Sequence, residues 1–307
     1  MVRENFLGVY GHVAIDTLVT VREFPEPNSC EAVIDRRTVF GGTAANLAVF
    51  ASAMGVKTAL ASFVGDDFPI EYRKSLDEMG IDLTDLITIN GGRTPAVIMA
   101  SDESHNQIGF VDQGVMRDQD QRPLLEYTIE SSKIVHVGTG RPAYAYRVCK
   151  RAKEEKRRVA FDPAQELDYV YSRDEFSRVL PCTDIFFCNE AELRISLEYL
   201  DLKEPKDLLE FVDTLIITSG KRGSRILTRD EDVIEIQPCK PKEIVDTTGA
   251  GDAYRAGFYA GLSRSLSLEE CGALASASAS FAVESFSVQT RPPTWDDVWR
   301  RAFGERS

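Results

Sequence analysis

Between residues 133 and 218 short apolar runs alternate with longer stretches of helical spacing, and nothing else in the chain restricts its fold as strongly. The runs at 133–137, 158–161, 185–188 and 213–218 read as strands; 143–156 and the stretch opening at Glu190 read as helices. Strand–helix repetition of this kind predicts a parallel, doubly wound α/β sheet. The first part of the chain fits the same scheme. FLGVYG at 6–11 reads as a buried strand, 41–54 as a helix opened by Gly41-Gly42 and ended by Gly55, 58–64 as a strand, and 68–79 as a helix closed by Gly80. Two hairpin-like strands run on to Gln237, and the C-terminal third is helical at 250–262, 268–282 and 294–303.

Two stretches break the pattern. Residues 17–40 contain the turn-forming VREFPEPN and then EAVIDRRTVF, which mixes charges with β-branched residues as in a sheet with one wet face. Residues 95–101 and 107–111 are again strand-like. Together they predict a small second sheet that projects as a lid. The sequence holds no internal repeat, no low-complexity segment and no Gly/Ser-rich linker. The whole of 1–307 is therefore read as one domain, with a lid from about 17–40 and 95–113.

Of the 307 residues, 43% are hydrophobic, enough for a sizeable core, and the net charge is −13. A duplex-nucleic-acid partner needs a basic footprint to displace counterions, so nucleic acid is excluded as a partner, and an anionic membrane surface with it. An anionic small molecule then has to be met by local donors. The most apolar run, 41–56, is interrupted by Thr43, Asn46 and Ser52 and falls short of the roughly 18 to 20 clean apolar residues of a membrane span. The N-terminal sequence lacks the basic, apolar and small-residue regions of a signal peptide. Six cysteines (Cys30, Cys149, Cys182, Cys188, Cys239, Cys271) form no C-x-x-C pair and are expected to be reduced, buried thiols. Three scattered histidines argue against a His-based zinc site. The expectation is a soluble, cytoplasmic protein.

The sharpest chemical signal is DTTGAGD at 246–252, directly before a helical pattern. Small residues let a ligand approach the backbone, and the free N–H groups of the first helical turn suit a phosphate. Thr248, Gly249, Ala250 and Gly251 are thus a candidate anion hole. Asp252 is the candidate general base for a substrate hydroxyl, kept ionised near neutral pH by the helix dipole. In GGTAAN at 41–46, Gly42 opens backbone to a ligand and the Asn46 amide can bind hydroxyls. Asp16, after the first strand and His12, offers two acceptors suited to a vicinal diol, or caps a turn. NEAE at 189–192 suits Mg²⁺, often through water, near nucleotide phosphates; it also reads as an acidic first helical turn. TSGKRG at 218–223 either wraps a nucleotide, with Lys221 or Arg222 near its phosphates, or is a solvated hairpin.

Taken together and in their chain order, GGTAAN, NEAE, ITSGKRG and DTTGAGD resemble the ribokinase, or PfkB-type, carbohydrate kinases over nearly the whole chain. The resemblance implies a ribokinase-like three-layer α/β/α domain with a small β-sheet lid, and phosphorylation of a hydroxymethyl group by ATP with Mg²⁺. By the same resemblance Asp252 is the catalytic base, and Asp16, Gly42 and Asn46 contact sugar hydroxyls. Asn189 and Glu192 form an N-x-x-E motif tied to Mg²⁺ and phosphate, and Thr218, Gly220 and Gly223 belong to the ATP loop. FPEPN, FDPAQ, GDAYRAGF and QTRPPTW are most similar to the archaeal broad-specificity nucleoside kinases, which act on inosine, guanosine or cytidine. On that reading Gln107, within His105-Asn106-Gln107, hydrogen-bonds a base while Phe110 stacks on it, unless this is an ordinary lid strand. Gly138-Thr139-Gly140 lines the cleft, Gln289 and Thr290 lie near the adenine, and Arg255 pairs with a carboxylate or approaches a phosphate. The lid permits a homodimer.

The expected reaction is in-line transfer of the γ-phosphoryl group of ATP to a ribose 5′-hydroxyl. A ribokinase or other sugar or sugar-phosphate kinase is the alternative within the family, and a non-catalytic metabolite-binding protein on the same scaffold the alternative outside it. A nicotinamide-dependent dehydrogenase fits the strand–helix pattern, but Gly8-Val9-Tyr10-Gly11 lacks the G-x-G-x-x-G spacing.

Overall fold

The computed structural model describes residues 4–104, 106–229, 233–286 and 289–305. The chain begins with β1 (Asn5–Tyr10), crosses into β2 (Ala14–Val21) and β3 (Val33–Gly41), and returns through α1 (Thr43–Ala53) to β4 (Thr58–Gly65). Helix α2 (Ile70–Glu78) and strand β5 (Leu86–Ile89) follow, then β6 (Ala96–Ser101) and β7 (Gln107–Asp112). Next come α3 (Glu126–Ser131), β8 (Ser132–Val137), α4 (Pro142–Glu154) and β9 (Arg158–Phe161). After α5 (Glu166–Tyr169) and α6 (Arg173–Val179) the chain forms β10 (Ile185–Asn189), α7 (Glu190–Leu200), β11 (Thr214–Thr218), β12 (Ser224–Thr228) and β13 (Ile234–Ile236). It closes with α8 (Ala250–Leu262), α9 (Leu268–Ala282) and α10 (Trp295–Phe303).

The large sheet runs β13-β12-β11-β10-β9-β8-β1-β4-β5. From β5 through β11 every pairing is parallel, and only β12 and β13 are antiparallel. Its strands are buried on both faces, which is why they read as unbroken apolar runs. Successive side chains serve opposite cores. Ile185 and Phe187 of β10 join a cluster with α1, α8 and α9, while Phe186 and Cys188 join one with α4, α6 and α7. Helix, sheet and helix therefore form three layers. Gly257 brings α8 close to α9: a Cβ there would stand 2.6 Å from the Leu274 carbonyl oxygen.

The parallel run gathers the carboxyl ends of its strands along one edge. Above that edge stands the second sheet, β3-β2-β6-β7, in which only β2 and β6 run parallel. It corresponds to the expected lid but starts at Ala14, not at 17, so Asp16 lies inside it rather than on the large sheet. Strand β5 and the short α3, α5 and α6 were not legible, because four to seven residues are too few to display a periodicity. The cysteines are all free, but only Cys149, Cys188 and Cys271 are buried, and Cys30 is exposed. Among the described residues no helix is long and apolar enough to cross a membrane.

Candidate active site

The N-terminus of α8 opens at Gly249, whose φ of 74° lies in the left-handed region that glycine enters without a Cβ clash. The expected four-amide anion hole is partly committed within the chain. The Thr248 N–H donates to Asp246 Oδ1 at 2.9 Å, and the Ala250 N–H reaches the Thr247 carbonyl at 3.3 Å. Thr248 is thus held by an Asx turn, which any anion drawing on its N–H has to open. Gly251 is small by necessity, since a Cβ there would stand 2.5 Å from Arg255 Nη1.

Asp252 stands in the first turn and accepts a hydrogen bond from Asn46 Nδ2 at 2.9 Å. Loss of hydration dominates its ionisation and pushes its pKa up to about 7, with the Asp162 and Asp16 charges adding to the rise. The Asn46 bond and the Arg255 charge oppose it. The helix dipole therefore does not keep this carboxyl fully ionised at neutral pH, as expected from sequence; burial outweighs it. A carboxylate poised near 7 suits general-base work.

Asp16 lies on β2, opposite Val39 of β3. Its Oδ1 is buried with no hydrogen-bond partner among the described residues, and burial pushes its pKa up to about 6. The glycine pair makes room for it. A Cβ at Gly41 would overlap Asp16 Oδ2, and one at Gly42, where φ is 93°, would stand 2.5 Å from the His12 carbonyl oxygen. Immediately beyond, α1 presents Asn46, which is buried.

Under α8, Arg255 grips Asp162 through Nε at 2.5 Å and Nη2 at 2.9 Å, both side chains being buried. Of the two roles weighed for Arg255, the structure shows the carboxylate pair.

A family model described as pfkB family carbohydrate kinase matches residues 5–295. The chain belongs to the pfkB family. A nucleoside kinase of Methanothermobacter thermautotrophicus is 36% identical over 307 residues, covering 98% of this chain and 96% of the relative. A cytidine kinase of Thermococcus kodakarensis is 32% identical, covering 86% of this chain and 91% of the relative. The crystal structure of Methanocaldococcus jannaschii nucleoside kinase, an archaeal member of the ribokinase family, superimposes with a TM-score of 0.91 at 36% identity, covering 98% of each chain. This pfkB-family chain is accordingly a phosphotransferase with the ribokinase-type three-layer fold.

On the side expected to hold the nucleotide, register places Asn189 of β10 beside Thr218 of β11. Asn189 and Glu192 are occupied with each other. The Asn189 side chain accepts from the Ala191 and Glu192 N–H groups, and the Glu192 carboxylate accepts from the Asn189 N–H at 2.8 Å and from Asn189 Nδ2 at 2.7 Å. This is a capping box, the structural alternative weighed for NEAE. Glu192 is buried, with its pKa pushed up to about 6 by that burial, and no cluster of three or more metal-ligating side chains exists among the described residues. Glu192 thus caps α7, and a Mg²⁺ contact from it would run through water, as expected from sequence. The 218–223 stretch is a hairpin turn between β11 and β12. Gly220 and Gly223 take φ of 54° and 89°, and Ser219 Oγ and Arg222 both reach the Glu190 carboxylate.

On the small sheet, Gln107 shares a face with Val111, Val97 and Asp16, whereas Phe110 falls on the opposite face and is 63% exposed. The expected pairing of a Gln107 hydrogen bond with Phe110 stacking on one base is therefore wrong, because residues three apart on a strand point to opposite sides. His105 lies outside the described residues. Gln289, expected near the adenine, donates through Nε2 to Asn46 Oδ1 and to the Tyr72 hydroxyl, each at 2.8 Å.

Sequence reasoning missed a polar group around Thr139. His12 Nδ1 meets Thr139 Oγ1 at 2.8 Å and its Nε2 meets Gln113 Oε1 at 2.5 Å, while Gln113 Nε2 donates to Glu166 at 2.9 Å. These residues tie the entry into the small sheet at His12 and the exit from it at Gln113 to the large sheet. No local motif announces them, since each partner comes from a different strand end.

Proposed function

We propose that this chain is an ATP-dependent nucleoside kinase that phosphorylates the ribose 5′-hydroxyl. A bond forms between O5′ and the γ-phosphorus, the bond from that phosphorus to the β–γ bridging oxygen breaks, and ADP leaves. Asp252 takes the proton of the 5′-hydroxyl. The amides of Gly249 and Gly251, joined by those of Thr248 and Ala250 as their turn contacts to Asp246 and Thr247 open, stabilise the charge on the transferring group. Asp16 and Asn46 receive the ribose hydroxyls at the backbone opening made by Gly42, and Gln107 faces the base from the small sheet. Asn189, Thr218, Gly220 and Gly223 receive ATP. Bound Mg²⁺ would neutralise charge on the nucleotide phosphates, with Glu192 contacting it through water. Closure of the small sheet as a lid excludes water from the phosphoryl group.

The observation that carries this reading is the Asp252 carboxylate in the first turn of α8, held by Asn46 Nδ2 at 2.9 Å, with burial pushing its pKa up to about 7. The test is ADP release from Mg-ATP with inosine, guanosine, cytidine, ribose and a fructose phosphate. Turnover with nucleosides is expected. Faster turnover with a free sugar points to the sugar-kinase alternative, and no turnover with any acceptor to a binding protein.

The homodimer expected through the lid belongs to the same proposal. Ile98, Ile108 and Phe110 lie exposed together on the face of the small sheet turned away from Asp16. Sedimentation should give a dimer for the wild type and a monomer for Phe110→Glu; a monomeric wild type refutes it.

A further inference from the structure

A side-chain amide can present either end, yet a general base needs an N–H from Asn46 and not a carbonyl oxygen. The contacts around Asn46 settle which end it presents. Tyr72 Oη donates to the Gly41 carbonyl at 2.7 Å, and a carbonyl can only accept. The Tyr72 oxygen is therefore left to accept, and Gln289 meets it with Nε2 at 2.8 Å. The same Nε2 donates to Asn46 Oδ1 at 2.8 Å, which turns Asn46 Nδ2 toward Asp252 at 2.9 Å. Each bond fixes the polarity of the next, beginning at a main-chain carbonyl that cannot change. Flipping Asn46 would set its oxygen against the Asp252 carboxylate and its N–H₂ against that of Gln289. Gln289 Oε1 meanwhile is buried with no hydrogen-bond partner among the described residues, so the amide keeps this polarity with one oxygen unsatisfied.

We propose that Gln289 is a positioning residue for phosphoryl transfer: relayed from Tyr72 and Gly41, its amide fixes Asn46 so that an N–H always faces Asp252. The proposal rests on Asp252 being the base. The charged groups acting on Asp252 are Arg255 of its own helix, Asp162 after β9 and Asp16 of β2; Asn46 is the neutral donor from α1. Tyr72 is fully buried against Phe40, its ring stacked with a centroid separation of 4.1 Å, so Tyr72→Phe removes the hydroxyl while leaving the packing.

The test compares Gln289→Leu, Gln289→Glu, Tyr72→Phe and the double variant Tyr72→Phe/Gln289→Leu, with Asp252→Asn alongside. For each, kcat against pH is measured with saturating inosine and ATP, after thermal denaturation has shown a folded protein. Gln289→Leu and Gln289→Glu should lower kcat at least tenfold at pH 7 and move the acidic limb to higher pH, with the KM for ATP within twofold of wild type. Tyr72→Phe should do the same more weakly, and the double variant should resemble Gln289→Leu alone. A wild-type acidic limb in Gln289→Leu, or single effects that multiply in the double variant, overturns the relay. Should Gln289→Leu not fold, Tyr72→Phe with an unshifted limb overturns it equally. Asp252→Asn separates the two claims. An inactive Asp252→Asn beside an unshifted Gln289→Leu removes the relay only, whereas an active Asp252→Asn removes the base assignment.

Discussion

Asn46 and Asp252, 206 positions apart in the chain, meet through a hydrogen bond of 2.9 Å from amide to carboxylate. It joins the helix entered through the glycine pair to the helix entered through the DTTGAGD turn. An N–H on a carboxylate favours its ionised form, and here it works against burial, which pushes Asp252 up to about 7.

Replacing Asn46 with Leu removes the donor that α1 supplies to the base. Losing a hydrogen bond to a charged group is equivalent to about one pH unit. Because the base acts when ionised, activity falls as pH drops through its pKa. The pH of half-maximal kcat in Asn46→Leu should therefore lie above that of the wild type, with a greater loss at pH 6 than at pH 9. An unshifted profile contradicts the coupling.

Gly41 takes no left-handed φ, so alanine there meets no backbone penalty, yet its Cβ would overlap Asp16 Oδ2. Gly41→Ala should displace the Asp16 carboxylate. The KM for nucleoside should rise about tenfold, corresponding to roughly 1.4 kcal/mol of lost binding, while the KM for ATP stays within twofold. Equal effects on both substrates would show that the substitution disturbs more than Asp16.

Arg255 and Asp162 are a buried pair with two contacts. Arg255→Met leaves Asp162 buried and alone, at a cost of about 3–5 kcal/mol. The double substitution Arg255→Met/Asp162→Leu removes both charges and should recover much of that loss. Urea denaturation of the wild type, the single and the double variant measures the difference; a double variant no more stable than the single one argues against a charge-pair origin.

These relationships were legible in the sequence to different degrees. The glycine positions in GGTAAN and DTTGAGD were readable because backbone geometry demands small residues there, as the φ values at Gly42 and Gly249 bear out. The alternating strands were readable because burial on both faces leaves unbroken apolar runs. The pairing of Gln107 with Phe110 was misread although the information was present, since the two-residue period of a strand separates them. The capping role of Asn189 and Glu192 was one of two open readings, and it is realised because all four hydrogen bonds close within one helical turn. The contact of Gln289 to Asn46 was not legible: it spans 243 positions, and no local pattern encodes it. The basicity of Asp252 was misjudged for a related reason. The helix dipole is visible in sequence, but the burial that outweighs it comes from elements far away in the chain.

The most direct test of the account is the turnover of Asp252→Asn with Mg-ATP and saturating inosine, set beside inosine affinity measured by calorimetry. The account predicts kcat lower by about three orders of magnitude or more, in line with loss of a general base and its charge, with inosine affinity within a few-fold of wild type. Turnover within tenfold of the wild type contradicts it.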